Sequence, residues 1–129
     1  MSQHTILAID FDGTIAEEGY WPELGPVRKN CQEYLRRLCA EGFYIIIWTC
    51  RAGDHVEKIH KYMAEHDLPY DQINEHHPAL VIRYGNDTRK IAADLYIDDK
   101  NLGGIHEDWE TIYHDVITES KLLKKKFLD

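Results

Sequence analysis

Short runs of apolar residues alternate along the chain with stretches of helical spacing, and several runs stop at an acidic or hydroxyl residue. Thr5-Ile6-Leu7-Ala8-Ile9 is rich in strand formers and ends at Asp10 and the turn-forming Asp12-Gly13, which predicts a buried first strand. After the loop Glu17–Pro26, Val27, Cys31, Tyr34, Leu35 and Leu38 recur at helical spacing and Gly42 supplies a stop, predicting a helix of about four turns. Phe43–Trp48 is continuously apolar rather than alternating, the pattern of a parallel strand covered on both faces. Asp54 suits the N-cap of a second helix reaching His66, with Pro69 just beyond it. Tyr70–Ile73 reads as a short third strand. Glu75–Lys90 has no clean period and is expected to be irregular, with Leu80–Arg83 as an edge strand. Ala93–Ile97 predicts a further core strand ending at Asp98-Asp99, and Trp109, Ile112, Tyr113, Val116 and Ile117 predict a last helix from about His106 to Phe127. Strands alternating with helices imply an α/β fold: a three-layer, Rossmann-like parallel sheet with helices on both faces. No repeat, low-complexity tract or linker divides the sequence, so residues 1–129 are expected to form one domain.

Composition narrows the partners. Fifteen basic against 23 acidic residues give a net charge of -8, which repels phosphate backbones and makes nucleic acid an unlikely partner. A small phosphate ester remains compatible with that charge. Cys31, Cys39 and Cys50 form neither a CxxC pair nor a disulfide framework and suggest reduced thiols. No run approaches the roughly 18 apolar residues of a membrane helix, and Met1–Ile6 lacks the pattern of a secretory signal. A soluble cytoplasmic protein with no membrane partner is the expectation.

Three predicted strands end in polar residues: Asp10 and Asp12 after the first, Thr49 after the second, Asp98 and Asp99 after the last. Carboxyl ends of parallel strands converge, and ligands bind just outside them. With Phe11 turned into the core, Asp10 and Asp12 point into one crevice, since alternate residues share a direction. One carboxylate can then attack phosphorus while the other manages protons. Gly13 lets backbone approach a ligand closely, and Thr14 can brace the loop. Asp10, the Asp12 carbonyl and Asp98 offer the hard oxygens that Mg²⁺ prefers. Thr49 and Lys90 are the candidates for holding phosphoryl oxygens.

These residues resemble the four ordered motifs of the haloacid dehalogenase superfamily. Leu7-Ala8-Ile9-Asp10-Phe11-Asp12-Gly13-Thr14 matches its strand-Asp-x-Asp-x-Thr motif, and Ile45-Ile46-Ile47-Trp48-Thr49 matches the strand closed by Thr or Ser. Lys90 is best placed for the third motif, and Leu95-Tyr96-Ile97-Asp98-Asp99 matches the acidic pair of the fourth. The likeness spans about residues 5–101. It implies an aspartyl-phosphate on Asp10, acid/base work by Asp12, phosphate contacts from Thr49 and Lys90, and Mg²⁺ bound by Asp10, Asp12 and the acidic pair, with either Asp98 or Asp99 as the direct ligand. Gly13, Thr14 and Arg51 join as candidate substrate-binding residues. Lys90 lies only eight positions before Asp98, so Arg51, Arg89 and Lys100 stand as alternatives, and Asp94 is a second choice of acid. Too few residues separate the motifs for a large cap domain. The site is expected to be open, suiting bulky substrates or a partner that closes it, with Tyr20, Trp21 and Pro22 as an aromatic rim.

The function expected is that of a Mg²⁺-dependent phosphomonoesterase acting on a small phosphorylated metabolite such as a sugar phosphate or nucleotide. A nucleic-acid end phosphatase and a non-catalytic phosphate-binding or phospho-signalling domain are the alternatives. His76-His77 lacks partners at zinc-site spacing and reads as surface. Lys121–Lys126 reads as a solvated helix end. The sequence leaves the oligomeric state open.

Overall fold

The computed structural model describes residues 5–127, so Met1–His4, on which part of the signal-peptide reading rests, lie outside it, as do the side chains after Lys124. Eight elements follow in order: β1 (Ile6–Asp10), α1 (Cys31–Ala40), β2 (Tyr44–Trp48), α2 (Asp54–Glu65), β3 (Gln72–Ile73), α3 (Pro78–Tyr84), β4 (Leu95–Ile97) and α4 (Trp109–Phe127). The strands form one sheet in the order β3-β2-β1-β4, and every pairing is parallel. Leu7 stands opposite Ile45 on one side and Leu95 on the other, so β1 runs through the middle.

Right-handed crossovers decide which face each helix covers. β1-α1-β2 and β2-α2-β3 both step outward in the same direction, whereas β3-α3-β4 crosses back over the sheet. The larger core accordingly joins Leu7, Ile9, Ile45, Ile47 and Ile97 to Leu35 and Leu38 of α1, Ile59 and Met63 of α2, and Trp109 and Ile112 of α4. The opposite face is thinner: Ile6, Ala8 and Ile46 are covered by Ile91, Leu80 and Tyr96. Helices thus lie on both faces, three against one. No inserted cap interrupts the described residues after β1 or β2.

Four local expectations are corrected. Leu80–Arg83 lies in helix α3 and not in an edge strand: Pro78 occupies its first turn, the His77 side chain accepts from the Ala79 N–H, and Gly85 closes it at φ 71°. α1 begins at Cys31 because Val27 is held in a bridge to Ala16 and Asn30 takes a left-handed conformation (φ 64°). Asp54 is the first residue of α2, and Gly53 precedes it as the N-cap. α4 starts at Trp109 because the Asp108 carboxylate accepts the Glu110 N–H at 2.9 Å. Among the described residues no helix is long and apolar enough to cross a membrane.

Candidate active site

Asp10 closes β1, while Thr49, Asn74 and Asp98 directly follow β2, β3 and β4. All four therefore sit at the carboxyl edge of the sheet. The winding reverses between β1 and β4, and that reversal opens a crevice at the strand ends. Asp10 stands on one side of it and the Asp98-Asp99 pair on the other.

The loop after β1 is built around the Phe11 carbonyl, which accepts the N–H groups of Thr14, Ile15 and Ala16 at 3.0–3.3 Å. Phe11 is buried against Tyr62, edge to face at 5.2 Å, so the chain turns its ring inward and leaves the flanking carboxylates at the surface of the crevice. Thr14 is fully buried and braces the site. Its hydroxyl donates to Asp10 Oδ2 at 3.3 Å and accepts the Asp99 N–H at 3.1 Å, tying the ends of β1 and β4 together. Its carbonyl accepts from Trp109 Nε1 at 2.8 Å and Arg28 at 3.2 Å. Gly13 has φ 88°, and a Cβ there would lie 2.3 Å from Asp99 Oδ2. Gly13 and Thr14, the candidate substrate-binding residues, thus shape the acidic cluster, and Thr14 braces the loop as expected.

Asp10, Asp98 and Asp99 each place one carboxylate oxygen within 4.8 Å of the others. Asp99 Oδ1 is buried with no hydrogen-bond partner. Asp10 is pushed up to about 8, first by burial, then by the nearby Asp99 carboxylate, which favours a proton on Asp10, then by the charges of Asp98 and Asp99. The Thr14 hydroxyl opposes this shift. A divalent cation suits such a place, because it gives the orphaned oxygen a partner and replaces mutual repulsion with attraction. Three hard carboxylate oxygens fit Mg²⁺, with waters and a ligand oxygen to complete its shell. The Asp12 carboxylate is not one of this trio. Asp94, the alternative acid, accepts the Ile6 N–H at 2.7 Å at the opposite edge of the sheet.

The Asp12 carboxylate meets Arg51 instead. Nε donates to Oδ2 at 2.8 Å and Nη2 to Oδ1 at 2.9 Å, a two-pronged pair made by a residue only 4% exposed. The same guanidinium donates to the carbonyls of Pro22 at 2.9 Å and Glu23 at 3.1 Å and lies 4.5 Å from the centre of the Trp21 ring. Arg51 was expected at the substrate; its donors are directed at Asp12 and the rim loop. Tyr20 and Trp21 are exposed as expected of a rim, and Trp21 packs beside His55 at 4.9 Å.

Thr49 is nearly buried, and its hydroxyl accepts the Arg51 N–H at 3.1 Å, which leaves the hydroxyl hydrogen to donate elsewhere. Asn74 fixes this turn. Its Oδ1 accepts the Thr49 N–H at 2.8 Å, and its Nδ2 donates to the carbonyls of Thr49 at 3.0 Å and Arg51 at 3.4 Å. Sequence reasoning missed Asn74; the available signal was an Asn directly after a strand, a residue type that tolerates the left-handed backbone it adopts at φ 56°.

Lys90 is exposed, and its ammonium lies 5.2 Å from the centre of the Tyr96 ring. Lys100 Nζ stands 3.7 Å from Asp99 Oδ2 and 3.3 Å from Glu18, so the structure brings Lys100 to the acidic trio. Arg89 is exposed. His76, expected at the surface, is 7% exposed: Nε2 meets the Thr88 carbonyl at 2.7 Å and Nδ1 accepts the Ala92 N–H at 3.2 Å, fastening the segment that carries Lys90. Cys31 is buried, and Cys39 and Cys50 are exposed, all three as free thiols. Lys121 and Lys124 are exposed, as a solvated helix end requires.

Fold and site together define an α/β protein with an all-parallel sheet and an acidic crevice at its switch point. No family model and no curated protein matches the chain. A solved structure does: the conserved protein coded by locus from Bacteroides thetaiotaomicron is 32% identical, with 91% of this chain and 93% of that one covered at a TM-score of 0.79. The chain belongs to the same family as that protein.

Proposed function

We propose that the protein is a Mg²⁺-dependent phosphomonoesterase of the haloacid dehalogenase type, acting through a phosphorylated Asp10 on a small phosphorylated metabolite. The observation that carries this reading is the grouping of Asp10, Asp98 and Asp99 at the switch point, with one buried oxygen of Asp99 lacking a partner. The strand order, with β1 central and the acidic pair on the adjacent β4, supports it. Three free thiols fit a reducing, cytoplasmic setting.

The chemistry proceeds in two displacements. An Asp10 oxygen bonds to phosphorus as the ester P–O bond breaks, and Asp12 gives a proton to the departing oxygen. Water then loses a proton to Asp12, its oxygen bonds to phosphorus, and the Asp10–phosphorus bond breaks to release inorganic phosphate. Thr49 donates its free hydroxyl hydrogen to a phosphoryl oxygen, and a lysine, Lys90 or the nearer Lys100, supplies positive charge. Asp10, Asp98, Asp99 and the Asp12 carbonyl would hold a Mg²⁺ ion, whose charge would let an anionic nucleophile meet an anionic phosphoryl group. With no cap, the leaving group projects toward the rim of Tyr20 and Trp21.

Phosphate release from p-nitrophenyl phosphate, followed with and without Mg²⁺, tests the reading. Turnover that requires Mg²⁺ and vanishes in Asp10→Asn is expected. Tight phosphate binding without turnover would identify a binding domain instead.

A further inference from the structure

Arg51 holds both oxygens of Asp12 while contributing to the rim loop, and nothing in the proposed chemistry uses it. We infer that Arg51 is the positioning residue of the acid/base carboxylate, an inference that rests on the phosphatase reading. A guanidinium joined to one carboxylate by two bonds of 2.8 and 2.9 Å fixes the plane of that carboxylate as well as its distance. The guanidinium is itself fixed from three sides. Pro22 and Glu23 carbonyls hold its outer nitrogens, the Trp21 ring lies beside it, and its backbone is tied to Thr49 and Asn74. Its side chain is almost wholly buried, so little freedom remains to be lost when a substrate arrives.

Asp12 is therefore aimed by a frame that spans β1, β2, β3 and the rim loop. The Asp12 carboxylate is not one of the acidic trio and is held, through Arg51, near the exposed Trp21 ring. A leaving group lying along the rim meets its proton donor there. Proton delivery matters in proportion to the basicity of the departing oxygen: an alkoxide needs the proton as the P–O bond breaks, whereas a nitrophenolate leaves without it.

The experiment compares kcat/KM for an alkyl phosphate, glycerol 3-phosphate, with that for p-nitrophenyl phosphate, because kcat/KM covers steps only up to departure of the leaving group. Arg51→Lys keeps the charge and loses the two-pronged geometry. A fall of roughly 30–100-fold on the alkyl ester and about 3-fold on the aryl ester is expected, within the reach of general acid catalysis. In an Asp12→Asn background the same change should have little further effect on the alkyl ester, since the group it aims is gone. Equal losses on both esters, or a full additional loss in the Asp12→Asn background, would overturn the inference and leave the phosphatase reading intact. Should Arg51→Lys fail to fold, Arg51→Gln, which also loses the two-pronged pair, is read on the same two esters; a loss confined to the alkyl ester supports the inference, and equal losses overturn it. Absence of turnover of either ester by the wild-type protein overturns the phosphatase reading and the inference with it.

Discussion

At the scale of single residues, Gly13 meets two demands at once. Its φ of 88° excludes ordinary side chains, and Asp99 occupies the space a Cβ would need. Gly13→Ala therefore strains the backbone and displaces Asp99, with a stability loss of about 1–3 kcal/mol. Thermal unfolding should show that loss, and Mg²⁺ titration should show affinity weakened at least tenfold; unchanged Mg²⁺ affinity would mean Asp99 holds no metal. In the proposed chemistry the two carboxylates on either side of Phe11 divide the labour. Asp12→Asn should slow alkyl ester hydrolysis by about two to four powers of ten, the span of general acid/base catalysis, as read from steady-state rates. An unchanged rate would move the proton work to another group.

At the scale of elements, Asn74 shows how a strand end is locked. It grips Thr49 from both sides while taking a left-handed backbone, so Asn74→Gly keeps the conformation and deletes the grip. Losing those bonds should cost about 1–3 kcal/mol by urea unfolding, the range for buried groups left unpaired. A change within error would show the turn after β2 to be held by other contacts. β1 and β2 were legible in the sequence because each is a continuous apolar run, the pattern of a strand covered on both faces, and the shorter, half-buried β4 because its apolar run stops at an acidic pair. The acidic trio was legible because parallel strand ends converge, which brings Asp10 to Asp98 and Asp99 without any knowledge of side-chain contacts. α3 was not, since its seven residues show too little period, and the cap that starts it is a histidine side chain. Arg51 was visible as a residue, but its pairing with Asp12 depends on how the rim loop folds over β2. His76 was misjudged for the same kind of reason: its burial comes from the Thr88–Ala92 segment wrapping over it.

At the scale of the whole molecule, the acidic trio links protonation to folding, and on the proposed reading to metal binding as well. Asp10 has its ordinary value of 3.8 in a free chain and about 8 in the folded one. Between those values the folded protein retains a proton that the unfolded chain has released. This group's contribution to stability is therefore greatest below the lower value, falls as pH rises toward the upper one, and is level beyond it. A cation that prefers carboxylates acts in the opposite sense: it must displace the proton at low pH and meets none at high pH. Mg²⁺ should thus raise the unfolding temperature little near pH 5.5 and most above pH 8. With free metal at 100 times its dissociation constant the gain is about 2.7 kcal/mol. Asp10→Asn removes one of the repelling charges, so it should make the metal-free protein more stable at pH 8 while abolishing most of the Mg²⁺ response. Differential scanning fluorimetry across pH, with and without Mg²⁺, measures both effects. A Mg²⁺ response of the same size at pH 5.5 and pH 8, or one undiminished in Asp10→Asn, would place the cation somewhere other than the carboxyl ends of β1 and β4.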